Sequence, residues 1–144
     1  MPVYYLDTSA LVKRYHVESG SERLDQLFAD SASTFITANI TFAELISAFD
    51  RKFQEGVINE HTLNYVLAVV SRDLVEDFWL IELDRVHVQR SQELILRHHL
   101  RTLDALHLAV LLTVRDLAPV LVSADHRLLD AAQREQFAVL NPAT

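Results

Sequence analysis

The sequence predicts a single α/β domain, with a central parallel sheet of about five short strands covered by helices on both faces. Three observations predict it. Short apolar runs rich in β-branched and aromatic residues alternate with longer stretches of helical periodicity. Each run is apolar at nearly every position, the mark of a strand buried on both faces. The chain has 144 residues, half of them hydrophobic, which is one domain's worth of core. No repeat or linker divides residues 1–144.

The elements follow in order. Val3 to Leu6 reads as a buried strand, ended by Asp7-Thr8-Ser9, and Ala10-Leu11-Val12 opens a helix that either Asp7 or Ser9 would cap. Gly20 breaks the chain, and Ser21-Glu22 starts a short helix with Leu24, Leu27 and Phe28 on one face. Thr34 to Thr37 is the second strand. A helix from Asn39 to Gln54 places Phe42, Leu45, Ile46 and Phe49 at spacings of three and four. Gly56 stops it, and Asn59 caps the next helix, with Leu63, Val66, Leu67 and Val70 on its apolar face. A third strand is expected over Trp79–Leu83, helices over Val86–His99 and Leu103–Asp116, and a fourth strand over Pro119–Ser123. Asp125 to Gln136 is the last helix and Phe137 to Leu140 the last strand.

Composition excludes several classes. With 23% charged residues the chain is not intrinsically disordered. The absence of cysteine removes disulfide scaffolds, thiolate metal sites and cysteine nucleophiles. Gly20 and Gly56, the only glycines, stand too far apart for a glycine-rich phosphate loop. Thirteen basic and twenty acidic residues give −7, which argues against a protein that coats nucleic acid by bulk charge. An enzyme that works on nucleic acid through metal ions remains open, because it must gather carboxylates. No signal peptide or membrane span is legible, so a cytoplasmic location is expected.

Four carboxylates stand in positions that attract notice. Asp7 and Asp125 each follow a buried strand, where an open parallel sheet builds its sites. An N-cap role explains either one alone. Asp104 lies at an apolar helix start, where Thr102 is able to supply the cap. Glu44 is a lone acid between Thr41 and Ala48 in a helix with little polar face. Four converging carboxylates repel one another, and a hard divalent cation with oxygen ligands relieves that repulsion.

These residues carry a resemblance. The segments Tyr5-Leu6-Asp7-Thr8-Ser9-Ala10-Leu11-Val12-Lys13, Thr41-Phe42-Ala43-Glu44-Leu45, Leu103-Asp104-Ala105-Leu106-His107-Leu108-Ala109 and Val122-Ser123-Ala124-Asp125-His126-Arg127-Leu128-Leu129 resemble PIN-domain ribonucleases. The likeness is greatest to the VapC-type toxins of type II toxin–antitoxin systems. It implies an endoribonuclease that depends on Mg²⁺ or Mn²⁺ and hydrolyses RNA phosphodiester bonds with a metal-activated water. Asp7 and Asp104 match the usual direct metal ligands. Glu44 and Asp125 match acids that bind a second ion, hold waters or orient the others. Thr8 or Ser9 matches a hydroxyl that often faces the metal. The resemblance also implies a VapB-like antitoxin partner, docked by a helix in a groove of the helix pair Asn39–Asp77, and a homodimer.

Cations flank the motifs. Lys13, Arg14 and His16 follow the first acid, and Arg97, His98, His99 and Arg101 precede the third. They are candidates for phosphate contact, with Lys13 and Arg101 first, against the plainer reading of a solvated helix face. His107 is expected to be a buried hydrogen-bonding residue, and His126 has no firmer role. Three rivals remain. A phosphatase or dehalogenase with an aspartyl nucleophile wants a second acid where Ser9 stands. A receiver domain needs a late lysine, and the only lysines are Lys13 and Lys52. A PIN-like binding module without turnover is the third, and the four intact acids speak against it.

Overall fold

The first strand, β1 (Val3–Leu6), is the middle of the sheet. The chain leaves it through α1 (Thr8–Tyr15) and α2 (Ser21–Ala29) to β2 (Thr34–Ala38), then through α3 (Ile40–Gln54) and α4 (Glu60–Glu76) to β3 (Phe78–Ile81). It returns through α5 (Arg85–His98), α6 (Thr102–Thr113) and a 3₁₀ turn at Arg115–Leu117 to β4 (Val120–Val122). Then come α7 (His126–Arg134) and β5 (Ala138–Leu140). This computed structural model describes residues 1–144. The sheet order is β3-β2-β1-β4-β5 and every pair is parallel. The winding reverses beside β1, so the switch point lies between β1 and β4, at the carboxyl ends of the two strands that precede Asp7 and Asp125.

Alternation along β1 feeds two cores. Tyr5 joins Ile36 and Leu121 under α5, α6 and α7, against Leu94, Leu108, Leu111 and Leu128. Leu6 joins Phe35 and Val122 under α1 to α4, against Leu11, Leu24, Leu45 and Phe49. Helices therefore cover both faces, as expected of strands apolar throughout. Helix α6 is apolar nearly all round and buries Ala105, Leu108, Ala109, Val110 and Leu111. A helix sunk in the core holds its first turn still, and that turn carries Asp104.

Three elements end two or more residues short of the sequence expectation. The third strand begins at Phe78 and ends at Ile81, because its partner β2 ends at Ala38, which pairs with Ile81. Beyond it the Leu83 N–H donates to Asn39 Oδ1 at 3.1 Å. The helix expected to reach Asp116 stops at Thr113 and tightens into the 3₁₀ turn, with Ala118 left-handed at φ +49°. The last helix ends at Arg134, before Gln136 at φ +70°.

Gly20 precedes α2 at φ +98°, and a Cβ there would meet backbone atoms of Pro142 and Ala143 at 2.9 Å. Gly20→Ala is expected to lose about 1–2 kcal/mol from the left-handed backbone alone, and the clash adds to it. Urea unfolding checks this, and an unchanged midpoint would mean the 142–143 segment yields freely.

Candidate active site

Asp7 ends β1 and caps α1. Its Oδ1 accepts from the Ala10 N–H at 3.0 Å. Ser9, the other candidate cap, instead donates to Asp7 at 2.8 Å and accepts from the Ala124 N–H at 3.0 Å. Ser123, at the end of β4, donates to Asp7 Oδ2 at 2.7 Å and accepts from the Asp125 N–H at 3.0 Å. The two hydroxyls thus clamp the β1 and β4 ends together around one carboxylate. Asp7 is only 3% exposed. Burial pushes its carboxyl above the ordinary aspartate value, while the nearby His107 ring and the Ser123, Ala10 and Ser9 donors pull it back.

Glu44 is delivered by α3. Thr41, one turn earlier, is buried and shares a 2.8 Å hydrogen bond with Thr37, whose hydroxyl donates to Leu6 O at 2.7 Å. Leu45 and Phe49 seat the same helix in the core. Glu44 Oε1 stands 2.7 Å from His107 Nε2, and His107 Nδ1 stands 2.9 Å from the Tyr5 hydroxyl. A carboxylate only accepts, so Nε2 carries a proton and donates to Glu44, while Nδ1 pairs with the Tyr5 hydroxyl. This chain reaches from the inside of β1 through α6 to the acid on α3. His107 is the buried hydrogen-bonding residue the sequence suggested.

Asp104 lies in the first turn of α6. Thr102 does not cap that helix: Arg101 occupies the cap position, and its side chain makes no cap bond. Asp104 Oδ2 is buried with no hydrogen bond. Arg101 Nε is 3.5 Å away, too far for one. Burial, then the charge of Asp125, raises the Asp104 carboxyl to about 6; Arg101 opposes the rise and Asp7 adds to it. Asp125 caps α7 through the Arg127 and Leu128 N–H groups, and its Oδ2 accepts from Arg101 Nη2 at 3.0 Å. Both aspartates after strands are therefore caps and site residues at once.

Asp7, Glu44, Asp104 and Asp125 line one cavity of about 550 Å³, together with Thr8, Ser9, Arg51, Arg101 and His107. The donor set is all oxygen, which suits a hard divalent cation. The orphaned oxygens of Asp104 and Thr8 also fit one, since each is buried without a hydrogen bond. The acids share the cavity but are not drawn into a ring of three about one point, so the fit is one of chemistry and placement.

Several candidate cations lie elsewhere. Lys13 is buried and donates to Glu18 at 3.0 Å, so it belongs to the α1 packing and not to the cleft. Arg14 lies over the Phe28 ring at 3.8 Å and faces Asp73 and Asp77. Arg97 and His98 both bind Glu135. Their acidic partners occupy the positive charge that phosphate contact would need. His126 is exposed and makes no side-chain bond. Arg101 does reach the cleft. Arg51, which sequence reading passed over, lines it too; its Nη1 donates to Ser47 at 2.8 Å and meets no carboxylate. Its signal was its place seven residues after Glu44, on the same helix face.

Fold and acid cavity together define the class. The PIN domain family model matches residues 4–134, and the chain belongs to that family. Within it the chain belongs with the VapC-type proteins. It is 34% identical over 141 residues to ribonuclease VapC35 of Mycobacterium tuberculosis, 96% of each chain. Among solved structures it is similar to M. tuberculosis VapC20, described as a sarcin-ricin loop cleaving toxin. There the TM-score is 0.68 at 16% identity, over 90% of this chain and 94% of that one. It is also similar to a chain in a toxin–antitoxin complex from Klebsiella pneumoniae, with a TM-score of 0.64 at 17% identity, over 96% and 97% of the two chains. At such identities the structural likeness concerns the fold.

Proposed function

We propose that this protein is an endoribonuclease dependent on Mg²⁺ or Mn²⁺, and the toxin of a toxin–antitoxin pair. The observation that carries the reading is the single cavity lined by four carboxylates from β1, α3, α6 and α7 at the switch point of the sheet. Relatives at this identity that bear the ribonuclease name support it.

Asp7 and Asp104 would hold the cation, with Glu44 and Asp125 beside them. When bound, the cation supplies charge withdrawal from the phosphate oxygens and a lowered pKa for water. The chain's own residues do the rest. Asp7 cannot turn, because Ser9, Ser123 and the Ala10 N–H hold both its oxygens. His107 fixes one oxygen of Glu44 and leaves Oε2 without a protein partner. The Asp104 carboxyl keeps its proton up to about pH 6 and gives it up above, so cation affinity rises through that range. Arg51, which meets no carboxylate, flanks the cavity and would hold phosphate oxygens, and Arg101 would join it once the cation takes up the charge of Asp104 and Asp125, positioning the strand without reading bases. The fixed, inward-facing Asp7 disfavours an aspartyl nucleophile, which must reach its substrate, and Ser9 serves Asp7 where that class needs a second acid.

The same proposal includes a VapB-like antitoxin, supported by neighbours solved in toxin–antitoxin complexes. It also includes a homodimer and a cytoplasmic location beside the RNA. No helix is long and apolar enough to cross a membrane.

Cleavage of a labelled structured RNA pool with Mn²⁺, Mg²⁺ or EDTA tests the reading. Metal-dependent products that disappear in EDTA are expected, each ending in a 5′-phosphate and a 3′-hydroxyl. Cleavage that persists in EDTA at wild-type rate would overturn the metal role. Arg101→Gln is expected to raise KM more than it lowers kcat, because Arg101 would touch phosphate, while Asp125 keeps its backbone N–H donors without it. An unchanged KM would remove Arg101 from the RNA path.

A further inference from the structure

A second cavity, of about 280 Å³, lies where the end of α5 meets the outer face of α7, lined by His98, His99, Arg127, Asp130, Ala131 and Arg134. We propose that it is a second RNA-backbone site, holding phosphates of the same strand whose reacting bond sits in the acid cleft. The proposal rests on the ribonuclease reading and names where the rest of the substrate runs.

Charge is the first argument. Arg127 and Arg134 stand seven residues apart on α7 with Asp130 between them, so all three share one face. Neither guanidinium takes a carboxylate or any other hydrogen-bond partner, although Asp130 stands at ion-pair spacing from both. Arg14, Arg72, Arg97 and Arg101 do pair, with Asp77, Asp73, Glu135 and Asp125, while Arg51 and Arg85 each stand without a carboxylate; at Arg127 and Arg134 two unpaired guanidiniums line the same cavity. Glu135, the nearest acid beyond α7, is occupied by Arg97 and His98. Two free guanidiniums against one carboxylate thus make a positive spot on a protein of charge −7.

Continuity is the second. The segment 98–101 and the helix start at 125–127 line both cavities: Arg101 and Asp125 face the acid cleft, while His98, His99 and Arg127 face the new site. His99 is left-handed at φ 56°, which turns the chain sharply from α5 into Arg101. Arg127 and Arg134 therefore lead away from the edge of the acid cleft that Arg101 and Asp125 mark. Arg127 to Arg134 spans roughly 10 Å along the helix at 1.5 Å per residue, about three stacked nucleotides of one strand.

The lining also says what the site does not do. It holds no Phe, Tyr or Trp, and its exposed ring, His99, offers a stacking contact that is tolerant of sequence. It should add affinity without adding sequence preference. His98 gives the site a fixed wall: its side chain is 3% exposed, Nε2 is 3.1 Å from Glu135, and Nδ1 is buried without a protein partner.

The test compares wild type, Arg127→Gln, Arg134→Gln, the double variant and Arg85→Gln, an arginine at the start of α5 that makes no ion pair. Binding of a fluorescein-labelled random-sequence RNA is read by anisotropy in Ca²⁺ buffer across a salt series, and cleavage of the structured RNA pool is read in Mn²⁺. The double variant is expected to bind about 3- to 10-fold more weakly, with a log–log salt slope flatter by ~0.7 per arginine removed. KM should rise by a similar factor, with kcat and cleavage positions unchanged. Arg85→Gln should match wild type, and all variants should keep its melting temperature. Wild-type affinity and slope in the double variant would overturn the second site while leaving the ribonuclease reading intact. Equal losses in Arg85→Gln would also overturn it, since diffuse charge would then suffice, and so would a wild type that binds no RNA. Binding lost in the double variant of a protein that cleaves nothing would keep the site and sink the ribonuclease reading instead.

Discussion

Asp104→Asn is expected to abolish RNA cleavage and, in the same protein, to raise the stability of the cation-free fold. Loss of a residue that merely supports a metal ligand commonly costs about 10–100-fold in activity or affinity. A carboxylate that itself holds the cation should cost at least ~100-fold. The stability gain follows from the raised carboxyl. Its proton binds with a pKa of about 6 in the fold, against the ordinary aspartate value of 3.8. The folded state then holds the proton more tightly than the unfolded chain. Stability therefore falls as pH rises from about 4 to about 6, and it stays reduced above that range. A shift of about two units corresponds to at most ~3 kcal/mol. Asp104 faces an open cavity, and screening by water reduces the expected gain to about 1–2 kcal/mol. Urea unfolding in EDTA at pH 7.5 should show Asp104→Asn the more stable, with the difference vanishing near pH 4. Added Mn²⁺ should stabilise wild type and do far less for the variant. Equal stability of the two proteins at pH 7.5 would mean that neither burial nor the neighbouring acids penalise the Asp104 charge, and the account of the cavity would fail.

His107→Ala is expected to lose both stability and rate, by separable routes. His107 is 2% exposed and its ring joins two groups. Removing it leaves the Tyr5 hydroxyl, fully buried on β1, without its hydrogen-bond partner. It also leaves a cavity under α6. An unsatisfied buried hydroxyl costs about 1–3 kcal/mol and the lost packing adds to it, so a loss of ~2–4 kcal/mol is expected. Freed of its donor, Glu44 is no longer held in one orientation, and cleavage should drop about 10–100-fold. His107→Gln separates the two effects, because its amide can still donate toward Glu44 while the Tyr5 partner is lost. It should recover rate more fully than stability, and Tyr5→Phe should leave KM unchanged. If all three variants lost rate only in step with their melting temperatures, His107 would be a packing residue and nothing more.

Much of the site was legible because its residues sit where parallel-sheet physics places sites. Asp7 and Asp125 follow strands that are apolar on both faces, and a strand end is fixed by pattern alone. Asp104 opens a helix too apolar to be anything but buried. Glu44 stood out for want of a polar face around it. The cations were less legible. Lys13 sits six residues from Asp7 in sequence, yet half the turns of α1 face the core, and Lys13 is carried into it beside Glu18. Arg51 escaped notice because it lies outside every acid-bearing segment, although helical spacing brings it to the same cleft as Glu44.

The sequence by itself determined the element order, the parallel sheet and the four carboxylates, because those depend on periodicity and on strand ends, which are local. Tertiary structure alone decided the rest. Ser9 and Ser123 lie 114 residues apart and meet at Asp7 only because β4 pairs with β1. Tyr5, His107 and Glu44 come from β1, α6 and α3 and share one line of hydrogen bonds. Which arginines face the acids and which are neutralised by other acids depends on helix rotation about a common core. Such contacts join residues distant along the chain, and the spacing of a single segment holds no record of them.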